Sequence, residues 1–121
     1  MVITLIAKSG TALLIAGTST SYPNFMRIGS GSGAELNTAI GLYAEHTGLH
    51  KAFTETTVST LRKVKWTGDW NSVEMSGLQL TEFALSLGST GNQIYHYVNL
   101  GNAISFDGTN ELRVEINWEL Q

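Results

Sequence analysis

At 121 residues, with a net charge of -3, 14% charged side chains and no cysteine, the chain is the size of one domain. It lacks the basic surface that nucleic acid requires and any thiolate for disulfides or metal. Low charge combined with 13 glycines and one proline suits a β-rich assembly protein better than a free enzyme.

Residues 2–7 and 11–16 read as two short strands joined at Lys8-Ser9-Gly10, with the interruption and the missing basic start arguing against a secretion signal. No apolar run approaches the ~20 residues a membrane span needs. Both strands are apolar on both faces, so each needs two covers, one of which is either the protein's own neighbouring elements or another subunit. Val2, Ile3, Leu5, Ile6, Leu13, Leu14 and Ile15 are therefore the candidate assembly interface, with residues 1–17 as a hairpin available for domain swapping.

Pro23 sets the chain direction before Phe25, Met26 and Ile28, and Gly29-Ser30-Gly31-Ser32-Gly33 follows. The lysine and hydroxyl ending of a phosphate-binding loop is missing, which leaves a flexible glycine turn as the expectation. Residues 34–50 are expected to be a long loop holding a short helical turn, since Leu36, Ile40 and Tyr43 have helical spacing but Gly41 and Gly48 weaken it. His46 and His50 are four apart beside Glu45, yet His96 is remote and no ligand set is complete, so solvated loop histidines, no metal and no cofactor are expected.

Residues 52–59 suit a strand, and 61–70 a clearer one, with Val64, Trp66 and Trp70 on one face and Lys63, Lys65 and Asp69 on the other. Residues 71–77 read as a turn with a short extended piece. Within 78–87 the apolar phase shifts from Leu78 and Leu80 to Phe83, Leu85 and Leu87, as a β-bulge near Thr81-Glu82 would produce. Glu82 would then accept hydrogen bonds from backbone groups freed by the bulge, with a catalytic carboxylate as the sharper alternative. In residues 93–100, Ile94, His96, Val98 and Leu100 share one face and Tyr95, Tyr97 and Asn99 the other. Tyr95 and Tyr97 are candidate ligand or partner contacts, because tyrosine is favoured where surfaces meet.

Asp107-Gly108 is of the kind that makes a tight hairpin turn, and residues 111–120 then alternate apolar and polar without a miss. The predicted architecture is an all-β antiparallel sandwich, jelly-roll-like or immunoglobulin-like, in one domain spanning 1–121. Val64, Trp66, Trp70, Phe83, Leu85, Leu112, Val114, Ile116 and Trp118 are its expected core, with Val64, Trp66, Phe83, Leu85, Ile94 and Val98 covering the last strand.

Three segments together, Tyr22-Pro23-Asn24-Phe25-Met26-Arg27-Ile28-Gly29-Ser30-Gly31-Ser32-Gly33, Arg62-Lys63-Val64-Lys65-Trp66-Thr67-Gly68-Asp69-Trp70-Asn71-Ser72-Val73-Glu74-Met75-Ser76-Gly77 and Leu80-Thr81-Glu82-Phe83-Ala84-Leu85, resemble a module of tailed-bacteriophage virion proteins. That module occurs in tail fibres, baseplate pieces and decoration proteins, and the resemblance spans roughly residues 22–118. It implies a β-sandwich-like structural protein of the virion that multimerises, with three subunits favoured, or docks on other virion proteins, and it carries no catalytic residues. The alternative is a carbohydrate-binding module for a host surface glycan, in which Trp66, Trp70, Tyr95 and Tyr97 would stack on sugars. A hydrolase using Asp69, Glu74 and Glu82 ranks lowest, since no two of these acids stand at a recognisable catalytic spacing and Gly31-Ser32-Gly33 is no nucleophile elbow.

Overall fold

The computed structural model describes residues 2–3, 23–36, 41–52, 55–60, 63–88 and 93–119. The strands are β1 (Val2–Ile3), β2 (Phe25–Gly29), β3 (Lys51–Ala52), β4 (Glu55–Thr60), β5 (Lys63–Trp70), β6 (Gln79–Ser86), β7 (Ile94–Ser105) and β8 (Leu112–Glu119). A single turn of helix, α1 (Ser72–Met75), lies between β5 and β6. Two antiparallel sheets form, a larger one in the order β1-β7-β6-β2-β3 and a smaller one in the order β4-β5-β8. The all-β sandwich expected from the alternating patterns is what the chain adopts. Among the described residues no helix is long and apolar enough to cross a membrane.

β8 shows why the alternation reads as a strand. Val114 and Ile116 are buried while Arg113, Glu115 and Asn117 are not, and the whole strand pairs with β5 from Lys63 opposite Glu119 to Trp70 opposite Leu112. The hairpin expected at Asp107-Gly108 does not form, because β7 pairs with β6 and β8 with β5. A two-residue hairpin turn of the Asp-Gly kind needs positive φ at both central residues, and here Gly108 has it (φ 96) whereas Asp107 does not. Asp107 instead closes a local turn, its Oδ1 accepting from the Thr109 amide at 3.0 Å and the Thr109 hydroxyl at 2.6 Å, and the chain crosses from one sheet to the other. Those two hydrogen bonds hold the Asp107 carboxyl below its usual range.

The core between the sheets contains Met26, Ile28, Trp66, Trp70, Met75, Leu80, Leu85, Tyr95, Phe106, Val114 and Ile116, with Val64, Phe83, Leu112 and Trp118 packed against it. Val64 and Trp66 are thus β8's neighbours within one sheet, and Phe83 and Leu85 lie across from it. Ile94 belongs to a second cluster with Ala84 and Tyr97, roofed by Leu42 from the loop after residue 40.

Two irregularities in the β6–β7 ladder sort these residues. The register steps from Leu80 opposite Ile104 to Glu82 opposite Asn99, which is the phase slip read at Thr81-Glu82. It steps again from Leu85 opposite His96 to Ser86 opposite Ile94, leaving Tyr95 as the extra residue of a bulge. The bulge breaks the parity expected along 93–100. Tyr95 reaches the core between the sheets, and Tyr97 stays on the outer face of the larger sheet.

The described parts of 34–50, residues 34–36 and 41–50, contain no helix. The short helix sits at Ser72–Met75 instead, where a turn with an extended piece was expected. Asn71 caps it, its side chain accepting from the Glu74 amide at 2.8 Å while the Glu74 carboxylate accepts from the Asn71 amide at 3.0 Å. This reciprocal box satisfies two otherwise orphaned donors, and it drives the fully buried Met75 into the core.

Candidate functional site

The outer face of the larger sheet carries a buried polar centre. On β6 the Glu82 side chain is fully buried, which for a carboxylate requires compensating donors. It has four. Oε1 accepts from the backbone amides of Gly31 at 3.2 Å and Ala44 at 2.8 Å; Oε2 accepts from the Tyr43 amide at 3.0 Å and the Tyr97 hydroxyl at 2.6 Å. The donors come from two loops and from β7, so the expectation that Glu82 would collect groups freed by its own bulge is corrected. The adjacent Thr81 hydroxyl donates to the Gly31 carbonyl.

The glycine-rich segment is fitted to this centre. A Cβ on Gly29 would meet the Ala44 carbonyl oxygen at 2.5 Å and Glu82 Oε1 at 2.6 Å, and one on Gly31 would meet the Tyr43 Cβ at 2.5 Å. A Cβ on Gly33 would run into the Tyr43 ring, whose hydroxyl donates to the Ala34 carbonyl at 2.8 Å. These glycines are close-approach positions, not the free turn expected from composition. Beside them the largely buried Arg27 donates from Nε to Glu45 Oε1 at 2.8 Å, and the Gly29 backbone bridges to Glu45.

Burial first, and then the hydrogen bond to Glu82, raise the Tyr97 hydroxyl above its ordinary value. It remains a protonated donor at any ordinary pH. Burial likewise raises Tyr95. Both tyrosines are almost wholly buried, at 3% exposure for Tyr95 and 0% for Tyr97, so neither is the exposed contact expected from alternation. The reasons are the bulge for Tyr95 and the loop roof for Tyr97. With Trp66 at 8% and Trp70 at 1% exposure, the four rings of the sugar-stacking alternative form no exposed platform. Trp70 donates its indole N–H to the Leu49 carbonyl, and Trp66 meets Trp118 edge to face with centroids 5.1 Å apart.

Trp118 also donates from Nε1 to Nδ1 of His96 at 2.7 Å. An imidazole that accepts at Nδ1 is neutral, with its proton on Nε2. His96 is 1% exposed, and among the described residues its Nε2 has no hydrogen-bond partner. Burial foremost lowers its pKa to about 4.

His46 Nε2 lies 2.7 Å from the Gln79 carbonyl, and the His50 ring sits edge-on to Phe25. Among the described residues no three His, Cys, Asp or Glu gather as a metal set. Asp69 and Glu74 do share a cleft of about 500 Å³ with Trp70, Glu111 and Arg113, but Glu82 is on another face. Asp69 Oδ1 accepts from Arg113 Nε at 2.8 Å, and Glu74 pairs with Lys51. The Lys51 partner, then the cap, hold the Glu74 carboxyl below its ordinary value, the opposite of what a general acid needs. Val2 and Ile3 form β1, paired with Tyr97 and His96 of β7; Leu5, Ile6, Leu13, Leu14 and Ile15 lie outside the described residues.

Comparison with protein-family models, with curated proteins and with solved structures finds no match.

Proposed function

We propose that the protein is a non-enzymatic structural component of a phage particle, self-associating or docking repeatedly on a symmetric virion surface. One observation carries this. The two most distinctive segments behind the phage resemblance, the glycine run 29–33 and Thr81-Glu82-Phe83, are two halves of a single contact: Glu82 and Thr81 bind the Gly31 backbone, and the glycines make room for Tyr43 and Ala44. The residues of that pattern are spent on holding a loop to a sheet. A pattern with that use belongs with a scaffold and gives a substrate nothing to meet.

Mass in solution by light scattering, together with copy number in purified particles by quantitative mass spectrometry, tests the proposal. The expected result is an oligomer, or a monomer present in many copies per particle. A monomer missing from particles overturns it.

A further inference from the structure

The described sheet edges differ in how open they are to another strand. β1 and β3 are two residues each, and β4 carries a register shift between Val58 and Thr60. β8 is eight residues long with an unbroken ladder to β5; it holds neither lysine nor proline, and its charges, Arg113, Glu115 and Glu119, are of both signs. Among the described residues it has a strand on one side only. Along residues 112–115 that edge borders an apolar groove of about 260 Å³, whose floor and far wall are Leu80, Phe83, Leu100 and Ile104. Leu100 and Ile104 are 37% and 48% exposed.

We infer that β8 pairs antiparallel with β8 of a second copy about a two-fold axis through Val114, making one continuous six-stranded sheet from the two small sheets. This rests on the self-associating arm of the proposed function and names its contact. Charge complementarity selects the occupant and the register. With Val114 opposite its own symmetry mate, Arg113 faces Glu115 of the other copy, and the symmetry makes that pair twice. Leu112 then faces Ile116 on the apolar side, and Glu111 faces Asn117. A slide of one residue sets Arg113 against an apolar neighbour, and a slide of two, which moves the axis by one residue, sets Arg113 against Arg113 or Glu115 against Glu115; like charges directly opposite are destabilising. A further slide that pairs Arg113 with Glu119 moves the axis to Ile116, away from the groove. A slide the other way that pairs Arg113 with Glu111 moves the axis to Leu112, the first residue of β8, where Glu111 lies outside the strand and the ladder is cut short; the Val114 axis keeps both ion pairs within β8 and beside the groove. Arg113 donates from Nε to Asp69 within its own chain, and the pair across the two-fold adds to the bonds it already makes there. A two-fold contact of this kind is self-complementary, the commonest form of homo-oligomer interface.

Sedimentation velocity on the full chain over a concentration series tests this. The wild type should show a monomer–dimer equilibrium. Glu115→Arg and Arg113→Glu should each raise the dissociation constant by about tenfold or more. Mixed in equal amounts, they should dimerise again, because the all-positive pair on one chain then meets the all-negative pair on the other. Should Arg113→Glu lose its fold along with the Asp69 pair, Glu115→Arg decides alone, with circular dichroism to show its sheets intact. A dimer indifferent to Glu115→Arg overturns this contact and leaves self-assembly standing. A monomer found in many copies per particle overturns it and leaves the particle role standing. A monomer in which those amides of residues 112–115 that point away from β5 resist hydrogen exchange overturns it too, by showing the chain's own residues on that edge.

Discussion

Glu82 gathers three backbone amides and a tyrosine hydroxyl, and truncating it strands two of these donors, the Gly31 amide and the Tyr97 hydroxyl, away from water. Each buried donor left unmade costs about 1–3 kcal/mol, and Glu82→Ala should lose on the order of 3 kcal/mol or more in chemical denaturation. Glu82→Gln keeps the shape and one acceptor oxygen but turns an amide N–H₂ toward existing donors, and it should fall between wild type and alanine. His96 gives a pH dependence of definite sign. Its pKa is about 4 in the folded chain against 6.5 for an unperturbed histidine, so between those values the unfolded chain binds more protons. Stability is therefore full above pH 6.5 and declines as pH falls toward 4, by about 3 kcal/mol at 1.36 kcal/mol per unit. His96→Leu should flatten the decline between pH 7 and 5 in a series of urea melts, a window above the range in which Glu74 and Asp107 titrate. An unchanged slope would mean that His96 is not held neutral.

At the scale of elements, the glycine run and the loop at 41–46 act as one piece through Ser30 N to Ala44 O at 2.9 Å, His46 N to Ile28 O at 2.9 Å and the Glu82 carboxylate. In Gly31→Ala the new Cβ meets the Ala44 backbone nitrogen as well as Tyr43 and Glu82, and backbone cannot swing aside as a side-chain tip can. The Tyr43 and Ala44 amides should exchange with solvent at least about tenfold faster than in wild type, while β5 and β8 amides keep their rates. Exchange at Tyr43 and Ala44 that matches the wild type would show the glycine to be dispensable. This fit was out of reach from the sequence, because a glycine chosen for close approach and one chosen for a bend look alike until the neighbour is known. The slip at Thr81-Glu82 was legible, since a change of parity in the apolar residues is its signature, although the surplus residues of that register step lie on β7. The bulge at Tyr95 was not: Ile94, Tyr95, His96 and Tyr97 are all able to be buried, so no parity shows. The N-cap of α1 was legible in principle as Asn71 three residues before Glu74, but four residues carry no helical period to draw attention to it.

For the whole molecule, alternation specified which residues of β5, β6 and β8 face inward, failed along β7, and left open which strands meet. Every expected core residue, from Val64 to Trp118, lies in or against one cluster, because a period of two decides burial locally. Pairing is a long-range property, and so the β8 partner was misread as the strand just before it when it is β5, more than forty residues back. The N-terminal residues pose the same question of partner. β1 lies along β7 opposite Tyr97 and His96, at an edge of the larger sheet, and the described core begins only at Met26. Deleting residues 1–17 removes β1 from that edge and leaves every described core residue in the chain, so the β signal in circular dichroism should persist even as the melting midpoint falls. If this segment docks the protein on the virion, the truncated chain should lose its copies per particle far more than its β content. Copy number counted by quantitative mass spectrometry of particles assembled with the truncated chain checks this. Full occupancy would move the docking surface off the N-terminal edge, whereas occupancy lost with the sheets intact would place it there.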